Sequence, residues 1–211
     1  MKLYFSRNYN PRLAVAVARY LNSPVEFEFA APFAPGEREK FLKLNPNLSI
    51  PILVEGETTL WEADAIACRL SRLAASDFWP TDDAMPELIR WISWGYSHFV
   101  RACDQVHFER VTKQRYGLGP IRRELVEEGL SEFAFSAAIL EQHLANRKWL
   151  VGDDPTYADF RLACVLPFAN LAGLPLADFP RVDAWHARLM AIPAWRDPFA
   201  GLVAPELPPL P

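Results

Sequence analysis

The sequence predicts two parts of different class: an α/β domain built as βαβ followed by ββα around a mixed sheet, and then an all-α helical bundle. Three observations predict it. Strand-like and helix-like patterns alternate through the first third, the proline- and acid-rich stretch "SDFWPTDDAMPE" interrupts them, and no strand signal follows. The α/β domain is assigned to residues 1–77, a linker to 78–85 and the helical domain to 86–211.

"KLYFS" opens as a strand, "PRLAVAVARYLN" continues as a helix, and "VEFEF" returns as a strand with Val25, Phe27 and Phe29 on one face. "EREKFLKLN" forms a short helix. "IPILVEGETTLW" reads as a hairpin turning near Glu55 and Gly56, and "EADAIACRLSRLAA" closes the domain as a helix. Beyond the linker, Leu88, Trp91, Ile92, Gly95, Phe99, Ala102 and Val106 fall at three- and four-residue steps. Ile121, Leu125, Phe133, Ala137, Leu140 and Leu144 do the same, so two long amphipathic helices are expected. A further helix starts at "TYADFRLACVL", where Thr156 and Asp159 are spaced to cap each other's amides. "RVDAWHARLMAI" is a helix ending before Pro193, and the tail "APELPPLP" is too proline-rich to be other than extended.

The 211 residues are 51% apolar and 23% charged, with a formal charge of −4. The absence of a basic run argues against a nucleic-acid partner, because counterion displacement from phosphates needs clustered Lys and Arg. Cys68, Cys103 and Cys164 are widely spaced and form no C-x-x-C pair, so neither a disulfide framework nor a metal site is expected. No apolar run reaches membrane-spanning length and the start lacks a signal-peptide pattern, which reads as a cytoplasmic protein with no membrane partner.

The stretch "NPNLSIPIL" poses the sharpest local question, since Pro51 stands just ahead of Ile52, Leu53 and Val54 and has no N–H for a sheet ladder. Taken with "LWEADAI", the opening strand–loop–helix and "GDDPTYADF", it makes the chain resemble the cytosolic glutathione S-transferases over nearly its whole length. The likeness is to bacterial, theta-like and beta-like members. The resemblance implies a thioredoxin-like first domain, a helical second domain, glutathione as co-substrate, no metal, and a two-fold homodimer. It further implies a cis Ile50–Pro51 bond, with the Ile50 backbone pairing with the cysteinyl part of glutathione as an added strand would.

By the same resemblance Glu62 stands where the family has its glutamate or glutamine, and Ala63 where it usually has Ser or Thr. Ala63 keeps its backbone N–H at the positive helix end and lacks the hydroxyl. The alternative reading of Glu62 is a helix-start acid favoured by the dipole alone. Asp64 adds a carboxylate in that turn, and Arg38, Lys40 and Lys43 are the candidates for the glycyl carboxylate. Family members place Tyr, Ser or Cys in the first loop to hydrogen-bond the sulfur. This chain has Asn10 at the Ser or Cys position, with Tyr9 as runner-up and Ser6 nearby. Asn10 followed by Pro11 also reads as a helix cap with proline at the first helical position.

Trp94, His98, Arg101, Gln105 and Phe108 project as one stripe of the first long helix. The stripe is either the wall of a pocket for an aromatic or anionic electrophile, or a solvated or dimer-packing face. His107 points elsewhere, toward the thiol or the surface. Arg69 and Arg72 against Asp104 are candidate charge pairs between subunits. The expected function is conjugation of the glutathione thiolate to a small hydrophobic or aromatic electrophile, as in detoxification. The alternative is a non-catalytic glutathione-binding, regulatory or scaffold protein on the same fold.

Overall fold

The computed structural model describes residues 1–210. The chain forms two compact units, one of Met1–Trp79 with Ile192–Glu206, the other of Pro80–Ala191 with the last described residues from Leu207. Residues 192–206 therefore do not belong with the helical domain, as the assignment of 86–211 had them. The reason is a set of long-range contacts in the first unit that no local pattern announces.

In the first unit a four-stranded sheet has the order β2-β1-β3-β4. β1 (Lys2–Phe5) runs parallel to β2 (Glu26–Phe29), the two joined by helix α1 (Tyr9–Tyr20). β3 (Ile52–Glu55) is antiparallel to both β1 and β4 (Thr58–Trp61). Gly56 makes the β3–β4 turn at a φ of 61°, a value that favours glycine. Alternation along β1 sends Tyr4 to one face, where it packs with Ala30, Phe41, Leu48 and Ile52 against α2 (Arg38–Leu44). Helix α1 packs on β1, on α3 (Ala63–Leu73) and on the returning segment α11 (Pro193–Arg196), which explains why its residues 11–18 are all buried. The buried Trp195 accepts a hydrogen bond at its carbonyl from the Arg12 guanidinium, which lies 4.9 Å over the indole.

The first helix begins at Tyr9 with Asn8 at its cap position, so Asn10 is the second helical residue and does not cap it. Asn8 lies one residue ahead of the helix and has the extended backbone that a cap position requires. Arg69 is not left for a partner subunit. Its fork donates to both carboxylate oxygens of Glu55, at 3.0 and 2.6 Å, and ties α3 to β3.

In the second unit one helical run extends from Met85 to Tyr116. It comprises α4 (Met85–Gly95), a wide π turn at Tyr96–Val100, α5 (Arg101–His107), a second π turn at Phe108–Thr112, and α6 (Lys113–Tyr116). Gly117, at a φ of 63°, ends it. Leu88, Trp91, Gly95, Phe99, Ala102 and Val106 are buried, as their spacing predicts. Gly95 is needed for close approach, since a Cβ there would run into Leu162 of α8 (Tyr157–Ala163).

Helix α7 (Arg123–His143) buries Phe133, Ala137 and Leu140, but Ile121 precedes it and is exposed. The cause is Glu109, buried in the second π turn. Its carboxylate accepts the Arg122 N–H at 2.8 Å and the Lys113 ammonium at 2.6 Å, holding residues 120–122 out of the helix. Glu141 of α7 in turn accepts the first amides of α10 (Pro180–Met190), from Arg181 at 2.9 Å and Val182 at 3.0 Å.

At the start of α8 the expected capping box is present. Asp159, fully buried, accepts the Thr156 N–H and hydroxyl at 2.9 and 3.2 Å, the Leu150 N–H at 2.9 Å and the Trp185 indole N–H at 2.9 Å. Burial pushes its carboxyl up to about 6 from the ordinary 3.8, against these donors, which favour the charged form. A folded-state value above the unfolded one means that the folded chain binds this proton more tightly. The group's contribution to stability is thus fully present below about pH 4 and is lost as pH rises through about 6. Asp159→Asn removes the titration. The stability of the parent relative to the variant, measured by urea denaturation, is expected to fall by roughly 2 kcal/mol between pH 4 and pH 7. A flat or rising difference contradicts the assignment.

Candidate active site

Strand register brings three distant segments to one end of the first unit's sheet. Tyr4 of β1 pairs with Ile52 of β3, and Ile52 pairs with Trp61 of β4. The residues just beyond those pairs are Ser6–Asn10 after β1, Ile50–Pro51 before β3 and Glu62–Asp64 after β4. The Ile50–Pro51 peptide is cis. Helices α1 and α3, which pack on each other, both begin at this end, and neither cap residue, Asn8 or Glu62, makes a side-chain capping bond. The first turns of two helices, with their positive dipole ends, thus lie at one end of the sheet, a setting for anions.

Glu62 has a φ of 72° and a ψ of 127°, outside the range of an ordinary cap, and is exposed. Such backbone conformations are stored at sites more often than elsewhere. Ala63 is buried and Asp64 half-buried in the first turn of α3. Ser6 is buried, and its hydroxyl makes no hydrogen bond within the chain. Tyr9 and Asn10 are half-buried in the first turn of α1. Of the cations, Lys40 is engaged by Glu28 at 3.2 Å and Glu37 at 3.7 Å, while Arg38 and Lys43 are exposed on α2.

Asn45 was not among the expected site residues, yet it shapes the loop before β3. It is fully buried, accepts the Asn47 N–H at 3.0 Å, and donates to the Ser49 carbonyl and hydroxyl at 2.8 and 3.0 Å. Leu48 takes a φ of 54° inside this fold of the chain and points into the core. The "NPN" string carried the signal, because Asn bonding two residues ahead is a turn device.

The second unit does not keep the expected stripe together. Trp94 and His98 stay adjacent, with ring centroids 5.8 Å apart. Arg101 bonds back to the Ser97 carbonyl at 3.0 Å, and Gln105 faces α7, donating to the Leu125 carbonyl at 2.8 Å. Phe108 is partly exposed in the second π turn. A π turn carries extra residues per turn, so a 3.6-residue stripe drawn across the one at Tyr96–Val100 slips. His107 is buried rather than on the surface. Its Nδ1 lies 3.3 Å from the Thr112 hydroxyl, and burial pulls its pKa down to about 4, so the ring is neutral at neutral pH. Cys103 and Cys164 are buried, and burial raises the Cys103 thiol well above its usual value, which leaves it an inert packing group. Among the described residues no group of three potential metal ligands occurs, and no helix is long and apolar enough to cross a membrane.

A thioredoxin-like sheet with two helix starts at one end, accompanied by an all-helical unit, is the architecture of a class of glutathione-using transferases. Residues 1–71 match the model of the glutathione S-transferase N-terminal domain, and residues 123–188 match that of the C-terminal domain. Glutathione S-transferase 3 of Zea mays is 32% identical over 175 residues, covering 80% of this chain and 78% of that protein. Elongation factor 1-gamma 3 of Oryza sativa subsp. japonica is 28% identical over 203 residues, covering 90% of this chain and 46% of that protein. The solved structure of glutathione S-transferase III in apo form superposes with a TM-score of 0.84 at 28% identity, over 99% of each chain. A structure of glutathione S-transferase I bound with lactoylglutathione superposes with a TM-score of 0.84 at 23% identity, covering 94% of this chain and 98% of that one. The chain belongs to the glutathione S-transferase family.

Asn45→Ala leaves the Asn47 N–H and the Ser49 groups without their partner. The variant is expected to lose roughly 1–3 kcal/mol of stability by chemical denaturation, as for other buried hydrogen-bonded groups. A loss below the measurement error would show that water replaces the side chain and that the loop does not depend on it.

Proposed function

We propose that the chain joins the thiolate of glutathione to a small hydrophobic or aromatic electrophile at the sheet end described above. The observation that carries the proposal is the convergence there of the Ile50–Pro51 segment with the uncapped starts of α1 and α3. The Ile50 N–H and C=O pair with the cysteinyl peptide unit of the ligand. The α3 amides at Ala63 and Asp64 take the γ-glutamyl carboxylate, and the Glu62 carboxylate accepts from its ammonium. Ala63 contributes backbone alone, which weakens this end by about one hydrogen bond, or 0.5–1.5 kcal/mol.

Asn10 serves as donor to the sulfur, with Tyr9 and then Ser6 next in order, and the α1 start adds its positive end. All of these favour thiolate, the reactive form. In the reaction the thiol proton leaves to solvent, the sulfur lone pair forms the S–C bond, and the electrophile's leaving group departs with its bonding pair. Trp94, His98, Arg101 and Phe108 remain the candidates for contact with the electrophile. The chain works as a two-fold homodimer, with the exposed Arg72 as the remaining candidate for a charge pair to Asp104.

A second reading is a glutathione-binding protein without turnover. It is favoured by Ala63, by Asn10 in place of Ser or Cys, and by the likeness to a protein named as an elongation factor. Titration calorimetry with glutathione, followed by turnover of a generic aryl halide, separates the two readings, and the expected result is binding with slow turnover. Absorbance of the bound thiolate against pH tests the donor. Asn10→Ala is expected to raise the bound-thiol pKa by about one unit, as loss of a hydrogen bond to a charged group implies. An unchanged value rejects Asn10 and passes the role to Tyr9 or Ser6. In analytical ultracentrifugation the dimer mass should persist into the low micromolar range, and a monomer at all concentrations rejects the homodimer.

A further inference from the structure

Three arginines of the first helix and the loop before it hold the chain's C-terminal segment, and their grip changes along its length. Arg12 holds the Trp195 carbonyl and ring in the interior. Farther on, Phe199 stacks on Phe5 of β1 with centroids 5.6 Å apart, and Arg19 donates to the Ala200 carbonyl at 2.5 Å. At the outer end Arg7 takes over. Its Nε donates to the carbonyls of Ala204 and Pro205 at 3.1 and 3.0 Å, and its Nη2 to Ala204 at 2.9 Å. The same Nη2 meets the Glu206 carboxylate at 2.6 Å, while the guanidinium lies 5.0 Å over the Phe199 ring.

The dependence runs both ways. Residues 204–206 have no secondary structure and make no backbone hydrogen bond among the described residues, so Arg7 is what fixes them. Arg7 itself stands in the β1–α1 loop, between Ser6 and the helix start that carries Tyr9 and Asn10. The Phe5 carbonyl accepts from Ala30, and the Asn8 carbonyl accepts from Arg12. Between them Ser6 and Arg7 make no backbone hydrogen bond to another segment among the described residues. A loop tied at both ends and free in the middle is fixed there by the planar fork of Arg7 against backbone carbonyls that do not titrate. A fork of this kind sets direction as well as distance. The Glu206 contribution is a solvent-facing ion pair, with side-chain exposures of 24% for Arg7 and 81% for Glu206, and such pairs add little.

We propose that Arg7 is a positioning residue for the transferase reaction. The C-terminal residues Ala204–Glu206 lock its guanidinium, and the lock sets the β1–α1 loop so that the donors at Ser6, Tyr9 and Asn10 reach the bound thiol. The proposal rests on the functional reading above. It assigns the end of the chain, far in sequence from any site residue, a part in the geometry of the site. Displacement of a reacting group by about 1 Å can cost as much as two orders of magnitude in rate, so a loop set by one side chain matters to turnover.

The test compares the full chain, a chain ending at Val203, Arg7→Ala in the full chain, and both changes together. Trp195, Phe199 and Arg12 remain in all of them, so the anchored part of the segment is kept. Hydrogen exchange at the amides of Ala30 and Arg12, which bond to the Phe5 and Asn8 carbonyls at the two ends of the loop, should quicken about tenfold in both single variants, the effect of losing one or two hydrogen bonds, and no further in the double. With glutathione bound, the thiol pKa should rise and kcat fall several-fold, with KM for glutathione changed less than twofold. Arg115→Ala, which loses the bond to the Pro208 carbonyl and a charge acting on His107 but leaves the Arg7 contacts in place, should match the parent.

Unchanged exchange in the two single variants, or effects that add in the double, would overturn the lock. So would an Arg115→Ala variant that reproduces the shortened chain. A parent that does not bind glutathione removes the functional reading instead, and the exchange rates still decide whether the tail sets the loop.

Discussion

The register of β3 between β1 and β4 is the constraint on which the site depends. Because Ile52 is opposite Tyr4 on one side and Trp61 on the other, the segments that continue those strands must meet beyond the same sheet end. Shifting β3 by one residue would turn Ile52 away from the Phe41 and Leu48 cluster and separate Pro51 from the start of α3. Asn45 secures that register from outside the sheet by fixing the loop that delivers β3, and the Arg69–Glu55 fork secures it from α3. The core and the site are thus specified by the same pairing, with side-chain chemistry added at its edge.

The helical unit contains two buried carboxylates that organise backbone amides, Asp159 and Glu109, and the two respond oppositely to pH. Asp159, deep and fully enclosed, is dominated by desolvation. Glu109 is held below the usual carboxylate range by the Lys113 ammonium and the Arg122 amide, so its contribution is present above the ordinary glutamate range and is lost as pH falls through its lowered value. The difference follows from partners. The hydrogen-bond donors to Asp159 at Leu150, Thr156 and Trp185 are neutral, with the Arg188 charge acting on it only at longer range, whereas Glu109 meets a cation at 2.6 Å. A buried carboxylate with a partner of opposite charge is easier to keep ionised than one held by dipoles alone.

Features written in local spacing were legible in the sequence, and features set by distant contacts were not. The Thr156–Asp159 box needs only a three-residue interval, and the apolar steps from Leu88 to Val106 need only helical periodicity. The Ile50–Pro51 peptide was reached through the motif around it rather than from proline alone. Asn10 was misread as a cap because Asn-Pro is a good helix start, and only the backbone shows that the helix has already begun at Tyr9. The turn of Gln105 toward α7 could not be read because nothing in the sequence marks the π turn at Tyr96–Val100 that shifts the stripe. The return of residues 192–206 to the first unit could not be read at all, since it rests on arginine contacts spanning more than 180 residues.

The two uncapped helix starts are the point at which stability and function part ways. A side-chain cap typically contributes about 1 kcal/mol, and α8 takes that contribution through its Thr156–Asp159 box, whereas the two helices that start at this sheet end do not. Asn8 sharpens the point. Its backbone, at φ −74° and ψ 168°, already has the extended conformation of a capping residue, and its side chain is of the preferred type, yet the capping bond is not made. Glu62, with its positive φ, forgoes the geometry itself. Polar backbone groups left without intrachain partners at a helix end must be satisfied by solvent or by a ligand. The same end holds the Ser6 hydroxyl, buried and without a hydrogen bond within the chain, beside the positive ends of both helices.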